Sequence, residues 1–572
     1  MNKDYESWNK DELINELLEL RKKKKFGLVW DEKKEEVSEE CKDKIPVLNE
    51  VFNLTISKDK SSKYDLVLEG DNFHSLVILN STHQNKIDGI YIDPPYNTGN
   101  KDWKYNNSYV DEEDPYRHTK WISFMHKRLV LARNLLTNTG IICVTIDDYE
   151  FPRLLMLMED IFGEQNRLGV VCIRNNPAGR STQKGISINH EYAIFFSKSS
   201  DATIGRMPRS EKQYARYSKE DSRGRYEEVN FRKPGGLKSE APSMFYPIFI
   251  KNESWRIPDM TWEKDLKEWV LNENPGDGEK IIYPTDDKDR GKRWRWGIER
   301  VKEESEEIFV KNVKGKSHLF YKGRMTHETV LPNTWWDKKE YSAQDHGTDL
   351  LKSIFGDLKT FDYPKAVVAV EDCLRVLTNK KDAIFLDFFA GSGTTGQAVK
   401  NLNQSDNGSR QFILCTNNEN NIARDDCYER INRIIQGYKD YQTNESVKGI
   451  PSNLKFYSID LIERGESDSH KKTLFENSSS IISLKEEAYV LKEDAEGYKI
   501  FEGLVCDVAI ISDLLCINEV KERIENQKKS FKVYIFSSCE DDFSDDFLEV
   551  NNVEEAISYP EPILENLRRI LS

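Results

Sequence analysis

Two stretches of this 572-residue chain combine residues that do chemistry with residues that hold a backbone still. The first is Ile90-Tyr91-Ile92-Asp93-Pro94-Pro95-Tyr96-Asn97-Thr98-Gly99. Its apolar start reads as the end of a buried strand, and the acid, two prolines and aromatic after it stop the pairing and turn the chain. Pro94 and Pro95 fix two successive φ angles, and Pro94 pushes Asp93 towards an extended conformation, so the turn is stiff before any ligand arrives. A carboxylate acceptor, a rigid carbonyl and the Tyr96 ring so close together suit a planar heterocycle bearing an exocyclic amine. The plainer reading is a strand-ending Pro-Pro turn with a surface tyrosine.

The second stretch is Ala383-Ile384-Phe385-Leu386-Asp387-Phe388-Phe389-Ala390-Gly391-Ser392-Gly393-Thr394-Thr395-Gly396. It reads as a buried strand, an acid, a glycine turn and the start of a helix. The glycines let a ligand approach the backbone, and a helix N-terminus favours polar or anionic groups. Gly391 to Gly396 satisfies the dinucleotide pattern G-x-G-x-x-G, which alone is weak evidence for NAD. Here an acid ends the strand, where it can pair with an ammonium, and Phe-Phe-Ala-Gly opens the loop, which matches a ligand with an amino acid end.

Strands and helices must carry these loops. Tyr64-Asp65-Leu66-Val67-Leu68-Glu69 is strand-like and residues 73–79 start a helix, so Asp71 falls where strand meets helix. Ligands gather at the carboxyl ends of parallel strands, and Asp71 serves equally well as a helix cap. The strand ending at Asp93 is followed by a helix over 121–136, a strand over 141–146 with Asp147-Asp148 at its tip, a helix over 154–162 and a strand pair at 170–173 and 192–196. Periodicity degrades from about 200 to 345, where turn signals and aromatic and basic residues dominate. Within it, Arg293-Trp294-Arg295-Trp296 suits phosphate contact plus base stacking, and equally a strand with buried tryptophans and solvated arginines. Order returns at Phe361-Asp362-Tyr363-Pro364-Lys365-Ala366, a helix to Leu377, and the strand Phe412-Ile413-Leu414-Cys415-Thr416, with Asn417 to Glu419 at its tip placed to grip ribose hydroxyls. From about 465 the chain reads as a separate small α/β unit with an acidic loop at 540–546. Residues 1–25 read as an amphipathic helix ending in Arg21-Lys22-Lys23-Lys24-Lys25, and Gly27-Leu28-Val29-Trp30 as an anchor onto the next domain.

At 572 residues, with 38% hydrophobic and 32% charged residues, several domains with real cores are expected. No apolar run approaches the roughly twenty residues of a membrane span, and the start lacks a signal-peptide segment, so a cytoplasmic location is expected. The nine cysteines contain no C-x-x-C pair and read as reduced core residues. Taken as a sum, the net charge of −15 argues against nucleic acid, yet about −12 of it lies after residue 440 and 201–340 is about +3. The middle is free to meet phosphates, whereas DNA repels the acidic tail, which is expected to contact protein.

The two motifs together resemble the DNA amino-methyltransferases that use S-adenosylmethionine, and their order resembles the β class. Lys25-Phe26-Gly27-Leu28-Val29-Trp30, Arg293-Trp294-Arg295-Trp296, Phe361-Asp362-Tyr363-Pro364-Lys365, Asn417-Asn418-Glu419-Asn420-Asn421 and Tyr559-Pro560-Glu561-Pro562-Ile563-Leu564 extend the likeness to modification subunits of Type III restriction-modification systems. Ala366 departs from that pattern, which commonly has a second proline there. The resemblance implies a Rossmann-like α/β methyltransferase sheet in two halves, 46–200 and 346–464. A target-recognition domain at 201–345 is inserted between them, with an N-terminal helix and anchor at 1–45 and a small acidic α/β domain at 465–572. It implies that Asp93, Pro94, Pro95 and Tyr96 form the catalytic turn: Asp93 and the Pro94 carbonyl accept from adenine N6, and Tyr96 stacks on the flipped base. It further implies that Asp71 meets the cofactor adenine, that Asp387 with Phe389, Ala390, Gly391, Ser392, Gly393 and Thr394 meets the methionine end, that Glu419 meets the ribose, and that Phe361, Tyr363, Pro364 and Lys365 form the outer wall. Arg293, Trp294, Arg295 and Trp296 would meet double-stranded DNA. No metal is needed, and a homodimer and a restriction subunit (a helicase-nuclease) are the partners implied. Cytosine-N4 methylation and a silent DNA-binding subunit guiding a nuclease are the rival readings, and an NAD-dependent enzyme leaves the Pro-Pro-Tyr turn without a role.

Overall fold

The computed structural model describes residues 30, 33–59, 62–105, 108–111, 113–177, 179, 185–356, 361, 364–465, 467–537, 543–559 and 569. The expected N-terminal helix, Asp362 and Tyr363, the first three residues of the acidic loop and the end of the chain from Pro560 except Arg569 lie outside them. The chain divides into two compact units, residues 1–206 with 331–572, and residues 207–330.

The first unit is built on a ten-stranded sheet. In chain order its strands are β1 (Lys44–Glu50), β2 (Tyr64–Glu69), β3 (Ile87–Ile92), β4 (Leu136–Ile146), β5 (Arg167–Ile173), β6 (Glu191–Ser197), β7 (Trp335–Trp336), β8 (Ile384–Asp387), β9 (Gln411–Thr416) and β10 (Asn453–Glu463). Across the sheet the order is β1-β10-β2-β9-β8-β3-β4-β6-β5-β7. The six strands from β10 to β4 are parallel, whereas β1 and β6 run against their neighbours. The parallel strands are covered on both faces and so read as continuous apolar runs: all of β2 and β9 is buried. The covering helices are α1 (Asn72–Thr82), α2 (Arg117–Leu135), α3 (Phe151–Phe162), α4 (Val367–Leu377), α5 (Thr394–Asp406) and α6 (Glu429–Gln436). Chain order reverses between β8 and β3, which lie side by side with Leu386 opposite Ile90. Their carboxyl ends therefore open onto one crevice, the place where doubly wound sheets hold ligands.

Three strands went unread in the sequence. β1 and β10 pair antiparallel across some 400 residues and close one edge, and β7 adds two residues to the other. Residues 468–559 form a separate five-stranded sheet, but their core is continuous with that of the large one. Tyr489 lies 5.1 Å from Tyr64 at the start of β2, and Ile481, Ile482 and Leu484 join the cluster that contains Leu68 and Leu76. The small α/β unit expected from about residue 465 thus has a sheet and a core of its own and docks one apolar face on the large sheet, which covers it. At the other end of the described chain, Trp30 packs edge-on against His126 of α2 at 5.3 Å.

The second unit is all strand and turn apart from two short helices, with a four-stranded antiparallel sheet and several hairpins around Phe231, Tyr246, Trp294, Trp296 and Leu319.

Candidate active site

At the tip of β3 the Asp-Pro-Pro-Tyr turn is held on every side. Trp121 of α2 donates its indole N–H to the Pro95 carbonyl at 2.8 Å. Asn97 takes a left-handed conformation (φ 57°) and donates to the fully buried Glu150 at 2.6 Å, while His118 grips the same carboxylate oxygen. The Pro94 carbonyl accepts no hydrogen bond among the described residues, so it is the open acceptor of the turn.

Asp93 presents its two oxygens differently. Oδ1 accepts from Thr145 Oγ1 at 2.7 Å and from the Tyr96 hydroxyl at 2.9 Å, and it lies 3.1 Å from the Lys365 ammonium. Oδ2 has no partner among the described residues. The Tyr96 hydroxyl also lies 3.0 Å from Glu191 Oε2, and Lys365 contacts both the phenol oxygen and Glu191. Burial, then the Asp93 and Glu191 charges, pushes the Tyr96 phenol well above its ordinary range. Burial works against the Lys365 charge, but the two carboxylates outweigh it and hold the ammonium above its ordinary value. Lys365, expected at the outer wall of a cofactor pocket, places its charge on the Asp-Pro-Pro-Tyr turn.

Next door, β8 ends in the buried Asp387. Its carboxylate accepts from the Phe389 backbone N–H at 2.9 Å and from Thr395 Oγ1 at 2.5 Å, and burial raises its pKa from 3.8 to about 7 despite both bonds. A buried acid with no cation beside it among the described residues fits a ligand that brings an ammonium. Gly391 and Gly393 both adopt positive φ (49° and 76°), which lets the loop from Phe389 to Thr394 turn tightly before α5 begins. A Cβ on Gly391 would stand 3.0 Å from the Phe361 ring, so Phe361 packs directly on the loop. From beneath, the fully buried Arg430 of α6 donates to Ser392 Oγ at 3.1 Å, Thr394 Oγ1 at 2.8 Å and Gln397 Oε1 at 2.8 Å.

Around this centre the other expected residues take varied positions. Ala390 and Ser392 are buried in the loop, Phe389 lies 5.9 Å from Phe124, and Pro364 is buried just before Lys365. Asp71 caps α1 through the Phe73 N–H at 2.7 Å and sits 3.3 Å from the buried Arg128, which Glu35 also pairs at 2.8 Å. Glu419 is exposed in a short turn after β9, beside Asn418, whose Oδ1 is buried without a hydrogen-bond partner among the described residues.

In the second unit, Trp294 and Trp296 are 3% and 7% exposed, and the Trp294 indole N–H is given to the Tyr246 carbonyl at 2.8 Å. A base cannot stack on a ring that is already covered, so the stacking role for these two is corrected to core packing. Arg293 lies in the short strand Lys292–Trp294 and Arg295 just beyond it, and both are half-buried between the covered tryptophans. Most arginines of this unit, Arg256 and Arg324 among them, sit on carboxylates. Arg293 donates only to Met244 Sδ, at 3.6 Å, and Arg295 donates to the Asn230 carbonyl at 2.9 Å; neither pairs with a carboxylate among the described residues.

Sequence reasoning missed Glu191, Thr145, Glu150 and Arg430. Glu191 carried a signal, an acid abutting the apolar run Tyr192-Ala193-Ile194-Phe195-Phe196. β6 is antiparallel, so its first residue lies at the edge where the parallel strands end. Arg430 carried none, since one arginine on a helix is ordinarily solvated.

A doubly wound sheet with an acid-ended glycine loop beside an Asp-Pro-Pro-Tyr turn defines a class of group-transfer enzymes acting on amines. Residues 87–425 match the family model described as DNA methylase, which is more than half of the chain, and the protein belongs to that family of DNA methyltransferases. It is 34% identical over 377 residues to the Type II methyltransferase M.KpnI of Klebsiella pneumoniae, covering 65% of this chain and 84% of that one. To the EcoPI Mod subunit of a Type III restriction-modification enzyme from Escherichia phage P1 it is 29% identical over 392 residues, 63% of this chain and 59% of that one. To the StyLTI Mod subunit of Salmonella typhimurium it is 29% identical over 426 residues, 68% and 58% of the two chains. No helix among the described residues is long and apolar enough to cross a membrane.

Proposed function

We propose that this protein transfers a methyl group from S-adenosylmethionine to adenine N6 in double-stranded DNA, as the modification and recognition subunit of a Type III restriction-modification system. The observation that carries the reading is a pair of open acceptors, Asp93 Oδ2 and the Pro94 carbonyl, at the tip of the strand next to the Asp387 glycine loop. Two acceptors on one rigid turn match the two hydrogens of an exocyclic amine. Such a base must be flipped out of the duplex, at about a few kcal/mol, because pairing otherwise occupies that amine. A carboxylate is far too weak a base to ionise an aryl amine. Asp93 and Pro94 would instead hold both hydrogens, aim the nitrogen lone pair at the methyl carbon and take up the proton after the N–C bond has formed. The cofactor supplies the electrophilic methyl group. Asp387 would meet its ammonium, the Phe389 to Thr394 loop its methionine end, Asp71 its adenine, Glu419 its ribose, and Phe361 with Pro364 the outer wall.

Adenine is favoured over cytosine by the acid that opens the turn and by the kinship with Mod subunits, which also supports a helicase-nuclease as partner. Cytosine N4 is the second reading, since both amines suit two acceptors. Arg293 and Arg295, without carboxylates, are the DNA contacts favoured in the 207–330 unit. Labelled S-adenosylmethionine, mixed duplex DNA and nucleoside analysis test the proposal: N6-methyladenine supports it, N4-methylcytosine moves it to the second reading, and binding without transfer leaves a guiding subunit. Asp93→Ala should lower transfer at least about a hundredfold while cofactor affinity stays within about threefold. Parallel loss of both would remove Asp93 from the role of amine acceptor.

A further inference from the structure

The DNA-methyltransferase turn comes with two charged groups that its four-residue motif does not contain. Glu191 is 3% exposed, and its carboxylate shares the Tyr96 hydroxyl with Asp93, at 3.0 and 2.9 Å. One phenol proton can serve only one of two carboxylates at a time. Two anions around a single hydroxyl in a buried site repel each other, and a cation between them offsets that repulsion. Lys365 supplies that cation, touching Asp93 at 3.1 Å as well as Glu191 and the phenol oxygen. Among the described residues, the other titratable groups facing Glu191 are Tyr91 on β3 and Cys143 on β4, both neutral at pH 7, with Cys373 of α4 close to both, and Asp93 also faces the acid Asp387 at the tip of β8. Lys365 is therefore the only cation found on this cluster among the described residues.

We propose that Lys365 and Glu191 are positioning residues for methyl transfer: Lys365 keeps Asp93 ionised and its Oδ1 occupied so that Oδ2 faces the target amine, and Glu191 anchors Lys365 there. The proposal rests on the amine-methylating reading of Asp93 but not on whether the base is adenine or cytosine. An ionised Asp93 accepts an amine hydrogen more strongly than a protonated one, because hydrogen bonds to a charged acceptor are shorter and stronger. An unanchored lysine would swing out to water, taking with it one of three donors that fix the carboxylate. The quartet also fixes the Tyr96 ring, with the ammonium 4.7 Å from its centre.

The test is the pH profile of single-turnover transfer, measured with labelled cofactor and duplex DNA on the full chain. Lys365→Met should acquire an acid limb, with its rate relative to wild type at least about tenfold lower at about pH 6 than at about pH 8.5, because the two carboxylates then compete for one proton. Adding Glu191→Gln to that variant should remove most of the limb, since Asp93 then faces one other carboxylate, Asp387, instead of two. Lys365→Arg, which keeps the charge, should keep the wild-type profile. A merely structural lysine would lower the rate equally at all pH values, and the second substitution would not restore it. A Lys365→Met profile parallel to wild type, or a double variant with the same acid limb, overturns the proposal. If Lys365→Met fails to fold, the Glu191→Gln single variant decides. It should retain wild-type cofactor affinity and a profile parallel to wild type over that range with a reduced rate, and an unchanged rate overturns the proposal. Wild-type protein that transfers no methyl group to any amine removes the function itself; wild-type transfer with parallel profiles removes only the clamp.

Discussion

Asp387 shows how one buried carboxylate can store a binding signal. Burial raises its pKa from 3.8 to about 7, against the pull of Thr395 and the Phe389 N–H. Between those values the folded apoprotein holds a proton that the unfolded chain has lost, so the contribution to stability is full below about pH 4 and falls away as pH rises to about 7. The loss amounts to about 4 kcal/mol. Melting of the apoprotein should therefore drop across that window, and Asp387→Asn, neutral throughout, should melt above wild type at about pH 8 but not at about pH 4. An ammonium beside Asp387 would reverse the shift. Calorimetry of S-adenosylmethionine binding near about pH 6.5, in buffers of different ionisation heat, should then show proton release in wild type and none in Asp387→Asn. The same melting slope in both proteins would take the shift away from this residue.

Among the elements, the glycine loop is shaped less by its own glycines than by the helix beneath it. Gly391 and Gly393 permit the turn, but Arg430 fixes where Ser392 and Thr394 stand. The arginine is itself expensive: burial lowers its pKa to about 10, and its Nη2 has no hydrogen-bond partner among the described residues. Replacing a buried charge by an apolar side chain of similar length is often neutral or stabilising. Arg430→Met should accordingly leave the melting temperature unchanged or raised while weakening S-adenosylmethionine about tenfold, because the loop no longer has a preset shape. Isothermal titration and thermal melts on the same preparation separate the two effects, and a fall in both would make Arg430 a plain stability residue. The turn after β3 follows the same logic, with Glu150 holding Asn97 in a left-handed conformation that the two prolines alone do not impose.

Across the chain as a whole, residues from Leu474 to Tyr559 contribute to the same core as the large sheet. Tyr489 is buried against Tyr64, and Tyr534 and Tyr559 stand edge to face at 5.7 Å in the same cluster. Tyr489→Ala should cost about 3 kcal/mol, and the denaturation midpoint of the β2 core should fall with it rather than in a separate transition. Two independent transitions would mean that the acidic segment folds alone.

The order of amino acids is enough to say where strands stop and which chemistry waits at their ends. Buried parallel strands are long apolar runs, and an acid followed by prolines or glycines must interrupt them. Asp93, Tyr96, Asp387 and the Gly391-Ser392-Gly393 turn were therefore legible, as were α1, β4 and the β5-β6 pair. What pairs with what was not legible. β1 and β10 are some 400 residues apart, and their antiparallel closure of the sheet depends on register rather than composition. It took the folded arrangement to put Glu191 and Lys365 on the Tyr96 hydroxyl, turn Trp294 and Trp296 inward and place Arg430 under the loop. A side chain's charge can be read from its type. Whether that charge is solvated, paired or stranded is set by the neighbours that distant segments bring to it, and in this protein those neighbours decide which oxygen of Asp93 is left open.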